Sequence, residues 1–175
     1  MDDRIDSFAR DHLPAAKDLP EFIFDRPELQ FPSRLNTCTY ADLHAQANRI
    51  ARLLVEDLGL IRGNRVLLRG ANSPMLAACF LAIFKAGGIA VGSMPLLRAK
   101  ELTQIVTKAQ ITHALCDARL ADELELARPA CPTLTHLLHF NGDAADGLEA
   151  RMAAQPATFV MNLASGIYFY RLQAG

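Results

Sequence analysis

Residues 76–95 read LAACFLAIFKAGGIAVGSMP and decide the fold of this chain. An apolar, alanine-rich helix ends at Lys85-Ala86-Gly87-Gly88, and a short apolar strand, Ile89-Ala90-Val91, follows at once. Two glycines after a helix allow a left-handed C-terminal turn and let the next strand approach closely. Pro95 then closes the segment. The stretch therefore predicts a tight helix-to-strand corner, with the strand buried in an α/β sheet.

Helical and strand patterns alternate on both sides of this corner. Upstream, Thr39 and Asp42 form a variant of the capping box, and Gly59 ends the helix that they begin. Further strands are predicted at 65–69, 111–116 and 135–140, and further helices at 98–109 and 118–127. Connections of two to six residues imply crossover units and parallel strands. The pattern predicts a three-layer α/β fold, with a largely parallel sheet flanked by helices.

The turn before the alanine-rich helix invites comparison with a dinucleotide-binding site. It reads Gly70-Ala71-Asn72-Ser73-Pro74, in which Asn72 is the predicted N-cap and Pro74 lies in the first turn. The second and third glycines that a pyrophosphate needs are missing. No acidic residue ends the next strand to hold a ribose. A capped helix start is therefore favoured over an anion site.

Composition excludes several classes of partner. The 175 residues carry 18 basic and 19 acidic side chains, for a net charge of −1. This balance gives no electrostatic reason to expect nucleic acid or an acidic membrane as a partner. The longest apolar stretch, 75–84, is about half of the roughly 20 residues that span a bilayer. With no apolar signal core near Met1, a cytoplasmic location is expected.

Cysteines and histidines indicate no metal site. No two cysteines are closer than 15 positions, which is unlike the spacing in zinc or redox motifs. His136 and His139 are three apart on a predicted strand and therefore point to opposite faces. Cys79 and Cys116 lie within apolar runs and are interpreted as small buried hydrophobic residues. The four cysteines are Cys38, Cys79, Cys116 and Cys131.

Four short motifs follow one another in a fixed order. They are Thr39-Tyr40-Ala41-Asp42-Leu43, Gly63-Asn64-Arg65-Val66, the Lys85-Ala86-Gly87-Gly88 corner with Pro95, and Arg98-Ala99-Lys100-Glu101-Leu102. In this order they resemble the N-terminal domain of the adenylate-forming (AMP-binding) acyl- and aryl-CoA ligases, over residues 5–158. The first 36 residues resemble the leader of the benzoate and 2-aminobenzoate CoA ligases.

This resemblance implies ATP, Mg²⁺ and CoA as cofactors and an aromatic carboxylate as substrate. Arg98 and Lys100 are the candidates for contact with a CoA phosphate, although solvated surface charges are the simpler interpretation. No catalytic residue is assigned. The residues that match the family motif have an expected role in backbone geometry rather than chemistry. They are Thr39, Tyr40, Lys85, Gly87, Gly88 and Pro95.

The chain also departs from the family pattern. No loop rich in Ser, Thr and Gly ends in Pro-Lys, although such a loop neutralises a triphosphate; the nearest string is Ser165-Gly166. A few tens of residues that the family has between Asn36 and Thr37 are missing. The tail from Phe159 is foreign to the family, and is either a strand of alternating aromatics or the start of a secretion-sorting tail.

These departures predict a fragment with three parts. Residues 1–36 form an irregular arm, 37–158 a partial α/β domain, and 159–175 a divergent aromatic tail. The first hypothesis is a truncated piece of an aromatic-acid CoA ligase, inactive alone. The second is a non-catalytic binding or interaction module on the same scaffold, and the third and weakest is a secreted product. Because the missing strands would uncover a sheet face, self-association through that face is also expected.

Overall fold

The computed structural model describes residues 39–159. The predicted arm at 1–36, and all of the predicted tail except Phe159, lie outside the described residues, so the three-part division stays a prediction. Helices and strands alternate through the described part. In chain order the elements are α1 (Tyr40–Arg52), β1 (Arg65–Arg69), α2 (Pro74–Lys85), β2 (Ile89–Ser93), α3 (Ala99–Ala109), β3 (His113–Asp117), α4 (Ala121–Ala127), β4 (His136–Phe140) and α5 (Leu148–Ala153).

The four strands form one parallel sheet in the order β2-β1-β3-β4. In the register, Arg65 lies beside Ile89, Val66 beside His113, and His113 beside His136. The chain leaves β1 towards β2 on one side and then crosses β1 to reach β3 on the other. The predicted three-layer α/β fold is confirmed.

Alternate residues of each strand build two separate cores, one on each face of the sheet. On β1, for example, Val66 and Leu68 pack into the first core and Leu67 into the second. Helices α1, α2 and α5 cover the first core, and α3 and α4 cover the second. The expectation of an uncovered sheet face is therefore wrong for the described residues, because both faces carry helices.

The helix starts follow capping rules, with one correction. The side chain of Thr39 accepts from the backbone N–H of Asp42 at 3.1 Å, and the Asp42 carboxylate accepts from Thr39 N at 3.2 Å. The predicted capping box is therefore confirmed. Ser73, not Asn72, caps α2, because its Oγ accepts from Leu76 N at 3.1 Å. Pro74 at the first helical position holds the preceding residue in the extended conformation that an N-cap adopts.

The corner between α2 and β2 is a Schellman motif, in agreement with its two glycines. The N–H of Gly88 donates to Ile83 O, and that of Gly87 donates to Phe84 O, each at 2.9 Å. Gly87 has φ +76°, where a side chain would be strained. The strand that follows is not buried as predicted. It lies at one edge of the sheet, and Ile89 is 47% exposed.

Candidate functional site

A crevice opens at the carboxyl ends of β1 and β3. These neighbouring strands flank the point where the direction of strand order reverses, and ligands of open α/β sheets bind outside the strand ends at such a point. The crevice has a volume of about 250 Å³. Its walls are Arg69, the loop that follows β2, and the segment after β3 together with the first turn of the next helix, α4. We call it the strand-end crevice. Within residues 39–159, a larger depression of about 460 Å³ is lined by α3 alone.

Arg69, the last residue of β1, ties together both loops of the strand-end crevice. Its side chain is 1% exposed. Nη1 donates to Met94 O at 2.8 Å, Nη2 donates to Pro95 O and Leu97 O at 3.0 Å each, and Nε donates to Leu120 O at 3.2 Å. A guanidinium has five N–H groups, so one N–H is left over. Arg69 therefore holds the crevice walls and has little capacity left for a ligand.

Asp117 has the equivalent position at the end of β3 and is fully buried. Its Oδ1 accepts from Arg119 N and Nε, and its Oδ2 accepts from Arg119 Nη2 at 2.6 Å and from Asn141 Nδ2 at 2.8 Å. Burial alone would raise the pKa of Asp117, but the hydrogen bonds from Arg119 and Asn141 outweigh it and lower the pKa below the ordinary value. The carboxylate is thus ionised at neutral pH and joins β3 to the end of β4.

Arg98 lies at the rim of the strand-end crevice and forms a salt bridge with Glu123. Its Nη1 lies 2.7 Å from Glu123 Oε1, and the other oxygen of Glu123 accepts from Ala99 N at 2.8 Å. The Arg98 side chain is 77% exposed. The hydrogen bond from Arg98 and then that from the backbone of Ala99 lower the pKa of Glu123. Glu123 therefore fills the N-terminus of α3, where an external anion would otherwise bind.

The structure brings only two of the predicted site residues to the strand-end crevice, Pro95 and Arg98. Lys100 is exposed in the first turn of α3 and lies outside the crevice lining. The remaining motif residues lie elsewhere. Thr39 and Tyr40 begin α1, and Lys85, Gly87 and Gly88 form the corner after α2.

Lys85 shows what the motif lysine does here. Its Nζ donates to Asn48 Oδ1 at 2.7 Å and lies 3.2 Å from His44 Nε2. Asn48 is buried, and its amide donates in turn to Ala157 O at 2.7 Å. Lys85 thus joins the end of α2 to α1 and, through Asn48, to the segment after α5. These contacts stabilise the packing of helices and leave the ammonium group remote from the strand-end crevice.

Sequence reasoning missed the polar residues that organise the strand-end crevice. Arg69 ends the otherwise apolar run Val66–Leu68, and Asp117 ends a strand that is buried throughout. A charge at the carboxyl end of a buried strand was the available signal. What it could not show is that the partner groups are backbone carbonyls of the loops after β2 and β3, because those meet Arg69 only in the folded chain.

Residues 39–159 contain neither a candidate metal site nor a candidate membrane-spanning helix. In that part of the chain, no three His, Cys, Asp or Glu side chains come together in a way that could hold a metal ion. No helix there is both long enough and apolar enough to cross a membrane. The cytoplasmic location stays a prediction.

Comparison with known proteins identifies the family. The model of the AMP-binding enzymes matches residues 17–162. The chain belongs to the AMP-binding enzyme family. Among family relatives, malpinin synthetase of Mortierella alpina is 35% identical over 118 residues, which cover 67% of this chain and 1% of that protein. The salicyl-AMP ligase / salicyl-S-ArCP synthetase of Mycobacterium tuberculosis is 34% identical over 127 residues, or 69% of this chain and 22% of that protein.

Solved structures of family members share the fold. The anthranilate CoA ligase AuaEII in complex with anthranoyl-AMP matches with a TM-score of 0.65 and 25% identity, over 83% of this chain and 30% of that one. ATP-bound MatB from Rhodopseudomonas palustris matches with a TM-score of 0.59 and 27% identity, over 70% and 24%. The chain therefore spans less than a third of each of these family members.

Proposed function

We propose that this chain supplies the N-terminal α/β section of an ATP-dependent, AMP-forming ligase for aromatic carboxylic acids, of the benzoate and 2-aminobenzoate type. The observation that carries the proposal is the similarity to the anthranilate CoA ligase over 83% of the chain. The salicyl-AMP ligase supports the same substrate class. Anthranilate and salicylate are both benzoates with a hydrogen-bonding group beside the carboxylate, so one class of acid accounts for both similarities.

The proposed parent reaction has two steps. A carboxylate oxygen attacks the α-phosphorus of ATP and pyrophosphate leaves; the thiol of CoA then attacks the acyl carbon and AMP leaves. No three His, Cys, Asp or Glu side chains converge among residues 39–159, so these residues form no Mg²⁺ cage of their own. The 175 residues also contain no Ser/Thr/Gly loop ending in Pro-Lys. We therefore propose that this section acts as a scaffold and that the reacting groups are bound by residues supplied elsewhere.

We also propose that Arg98 and Lys100 contact a CoA phosphate, although Arg98 already binds a carboxylate of the same chain. Glu123 already occupies both Arg98 Nη1 and the N–H of Ala99. A phosphate at this rim would have to displace the Glu123 carboxylate. Glu123→Gln would then strengthen CoA binding by weakening the competing carboxylate, whereas Arg98→Ala would weaken CoA binding.

A chimera tests the proposed function. Residues 39–159 would replace the matching section of AuaEII, and pyrophosphate release would be measured with 2-aminobenzoate, benzoate and malonate, with and without CoA. We expect release that depends on either aromatic acid, and none from the 175-residue chain alone. A folded chimera that releases no pyrophosphate would contradict the scaffold proposal. Acid-dependent release from the chain alone would show that it contains a triphosphate site.

A second candidate function, an interaction module that associates with itself, is supported by exposed apolar side chains. They lie on α2, at the start of β2 and in the turn before β1, and are exposed by 41–70%. We call this region, together with the free side of β2, the edge surface. Its side chains are Ile61, Phe80, Leu81, Phe84 and Ile89. A molar mass in solution above that of one chain would support this function, and a monomer at every concentration would contradict it.

A further inference from the structure

Strand β2 has one free side among the described residues. Its only strand neighbour there is β1, with Arg65 beside Ile89 and Arg69 beside Ser93. An unpaired strand side presents a row of N–H and C=O groups that can template another strand. Natural edges are usually protected by charges, proline or a bulge. Strand β2 reads Ile-Ala-Val-Gly-Ser and contains neither a charge nor a proline.

The pairing with β1 shows which groups face outwards. The N–H of Ile89 donates to Asn64 O at 2.8 Å, so Ile89 directs its backbone groups towards β1. Successive residues of a strand direct these groups to opposite sides, so Ala90 and Gly92 present theirs at the free side. Gly92 is exposed, and a Cβ built on it would meet nothing within 4 Å. The free side is therefore open to a second backbone at this point.

Helix α2 covers the sheet face to which Ala90 belongs and carries two exposed aromatic side chains. Phe80 and Phe84 stack edge to face with ring centroids 4.7 Å apart, and they are 45% and 53% exposed. The side chains that define the edge surface are each about half exposed, which corresponds to roughly 500 Å² per copy if a full side chain covers about 200 Å². If all of this area were covered, two copies would bury about 1,000 Å², which is below the roughly 1,200–2,000 Å² of stable interfaces, so the paired strand backbones have to supply the remainder.

We infer that the edge surface is a homodimer interface, in which β2 pairs antiparallel with β2 of a second copy. This inference deepens the second function proposed above, because it names the partner and the pairing. A two-fold axis through Val91 places Ala90 of each copy opposite Gly92 of the other, and these residues exchange both hydrogen bonds. The result is a continuous eight-stranded sheet in which the two α2 helices lie on the same face, beside the axis. Association closes at two copies because the interface is isologous.

The first test is the molar mass of the full 175-residue chain across a range of concentrations. We expect a monomer–dimer equilibrium. Gly92→Lys places two ammonium groups next to the axis, where like charges repel, and is expected to weaken the dimer by more than about tenfold. The position has room for a side chain and no positive φ, so the monomer fold is expected to remain intact. Leu126→Lys is the matched control, because Leu126 is 71% exposed on α4, on the other face.

The second test traps the pairing covalently. Across the proposed axis the two Val91 Cα atoms would lie about 4.5 Å apart, within the range of about 4.4–6.8 Å that a disulfide bridges. Val91→Cys in a Cys38→Ser background should therefore form a disulfide-linked dimer on mild oxidation, with protein concentrations kept low. Leu126→Cys in the same background should remain monomeric. Cys79, Cys116 and Cys131 are buried and do not interfere in the folded chain.

Three results would overturn the inference. A dimer that survives Gly92→Lys and gives no Val91→Cys disulfide would leave self-association intact but place it on another surface. Oligomers larger than a dimer would contradict an interface with closed two-fold symmetry. A chain that stays monomeric while the amides of Ala90 and Gly92 are protected from hydrogen exchange would show that another segment of the same chain covers β2, and would also remove the self-association proposal.

Discussion

The strand-end crevice and the edge surface differ in how their bonding capacity is used. At the crevice, the charges of Arg69, Asp117 and Arg98 are each satisfied by a carbonyl, an amide or an opposite charge of the same chain. At the edge surface, backbone groups and half-exposed aromatic side chains have no partner strand or covering helix among residues 39–159. The strand-end crevice carries more charge, but its polar groups already have partners within the chain. The apolar edge surface is therefore the better candidate for binding an external partner.

Loss of the hydrogen bonds from Arg69 to the crevice loops should have the largest effect on stability. Arg69→Met removes hydrogen bonds to four loop carbonyls, and we expect the free energy of unfolding to fall by about 3–5 kcal/mol. Urea unfolding followed by circular dichroism measures this change. Arg65→Met is the control, because Arg65 is exposed at the opposite end of β1 and its loss should change stability by less than about 0.5 kcal/mol. Equal effects of the two substitutions on the free energy of unfolding would contradict the role of Arg69 in holding the crevice loops.

Asp117 should give the crevice its pH dependence. Its pKa in the folded chain lies below the unfolded value of about 3.9, so its stabilisation is present above pH 4 and is lost as pH falls through the folded pKa. Asp117→Asn should cost about 1–2 kcal/mol at pH 7 and flatten the loss of stability below pH 4. Urea titrations between pH 3 and 7 test both statements. An unchanged acid slope in the variant would show that other carboxylates determine it.

Substitution at the edge surface should affect association more than folding. Phe84 is 53% exposed, so Phe84→Ser is expected to lower the stability of the monomer by only about 1 kcal/mol. The same change removes an aromatic ring from each copy at the proposed interface. The dimer of the variant should therefore have a higher dissociation constant than the wild-type dimer. Sedimentation velocity and urea unfolding on one sample separate these effects. A large loss of stability with unaltered association would mean that Phe84 belongs to the core.

Substitution at the rim of the strand-end crevice should change stability least. Arg98→Ala breaks the contact with Glu123, but the Arg98 side chain is 77% exposed and such pairs contribute little to folding. We expect the urea midpoint to remain unchanged, at low and at high salt. A clear, salt-dependent shift would show that the Arg98–Glu123 pair holds the crevice walls together with Arg69.

Local rules written in the sequence account for most of the element boundaries. Thr39 with Asp42, Pro74 at a helix start, and the paired Gly87 and Gly88 each act within a few residues, so the capping box and the Schellman corner could be predicted. The predicted N-cap of α2, Asn72, lies one residue before the observed cap, Ser73. The constraint that Pro74 imposes on the residue before it identifies Ser73 as the cap.

The strand-end crevice could not be predicted in the same way. Arg69 lies more than 20 positions from every carbonyl that it binds, and Asp117 is 24 positions from Asn141. Such partners are neighbours only once the crossovers are formed. Charge and a place near a helix start predict Arg98 and Lys100 as site residues, and neither feature reveals that Glu123 already occupies the helix start.

The sequence by itself determined the alternation of helices and strands, the parallel sheet and the family resemblance, because periodicity, capping and short motifs are local properties of the chain. The tertiary structure alone decided that β2 lies at an edge, that both sheet faces are covered, and that Phe80 and Phe84 on α2 and Ile89 on β2 remain about half exposed. An apolar strand reads the same whether one or two neighbours pair with it. Only strand order, which results from the direction of each crossover, leaves one side of Ala90 and Gly92 free.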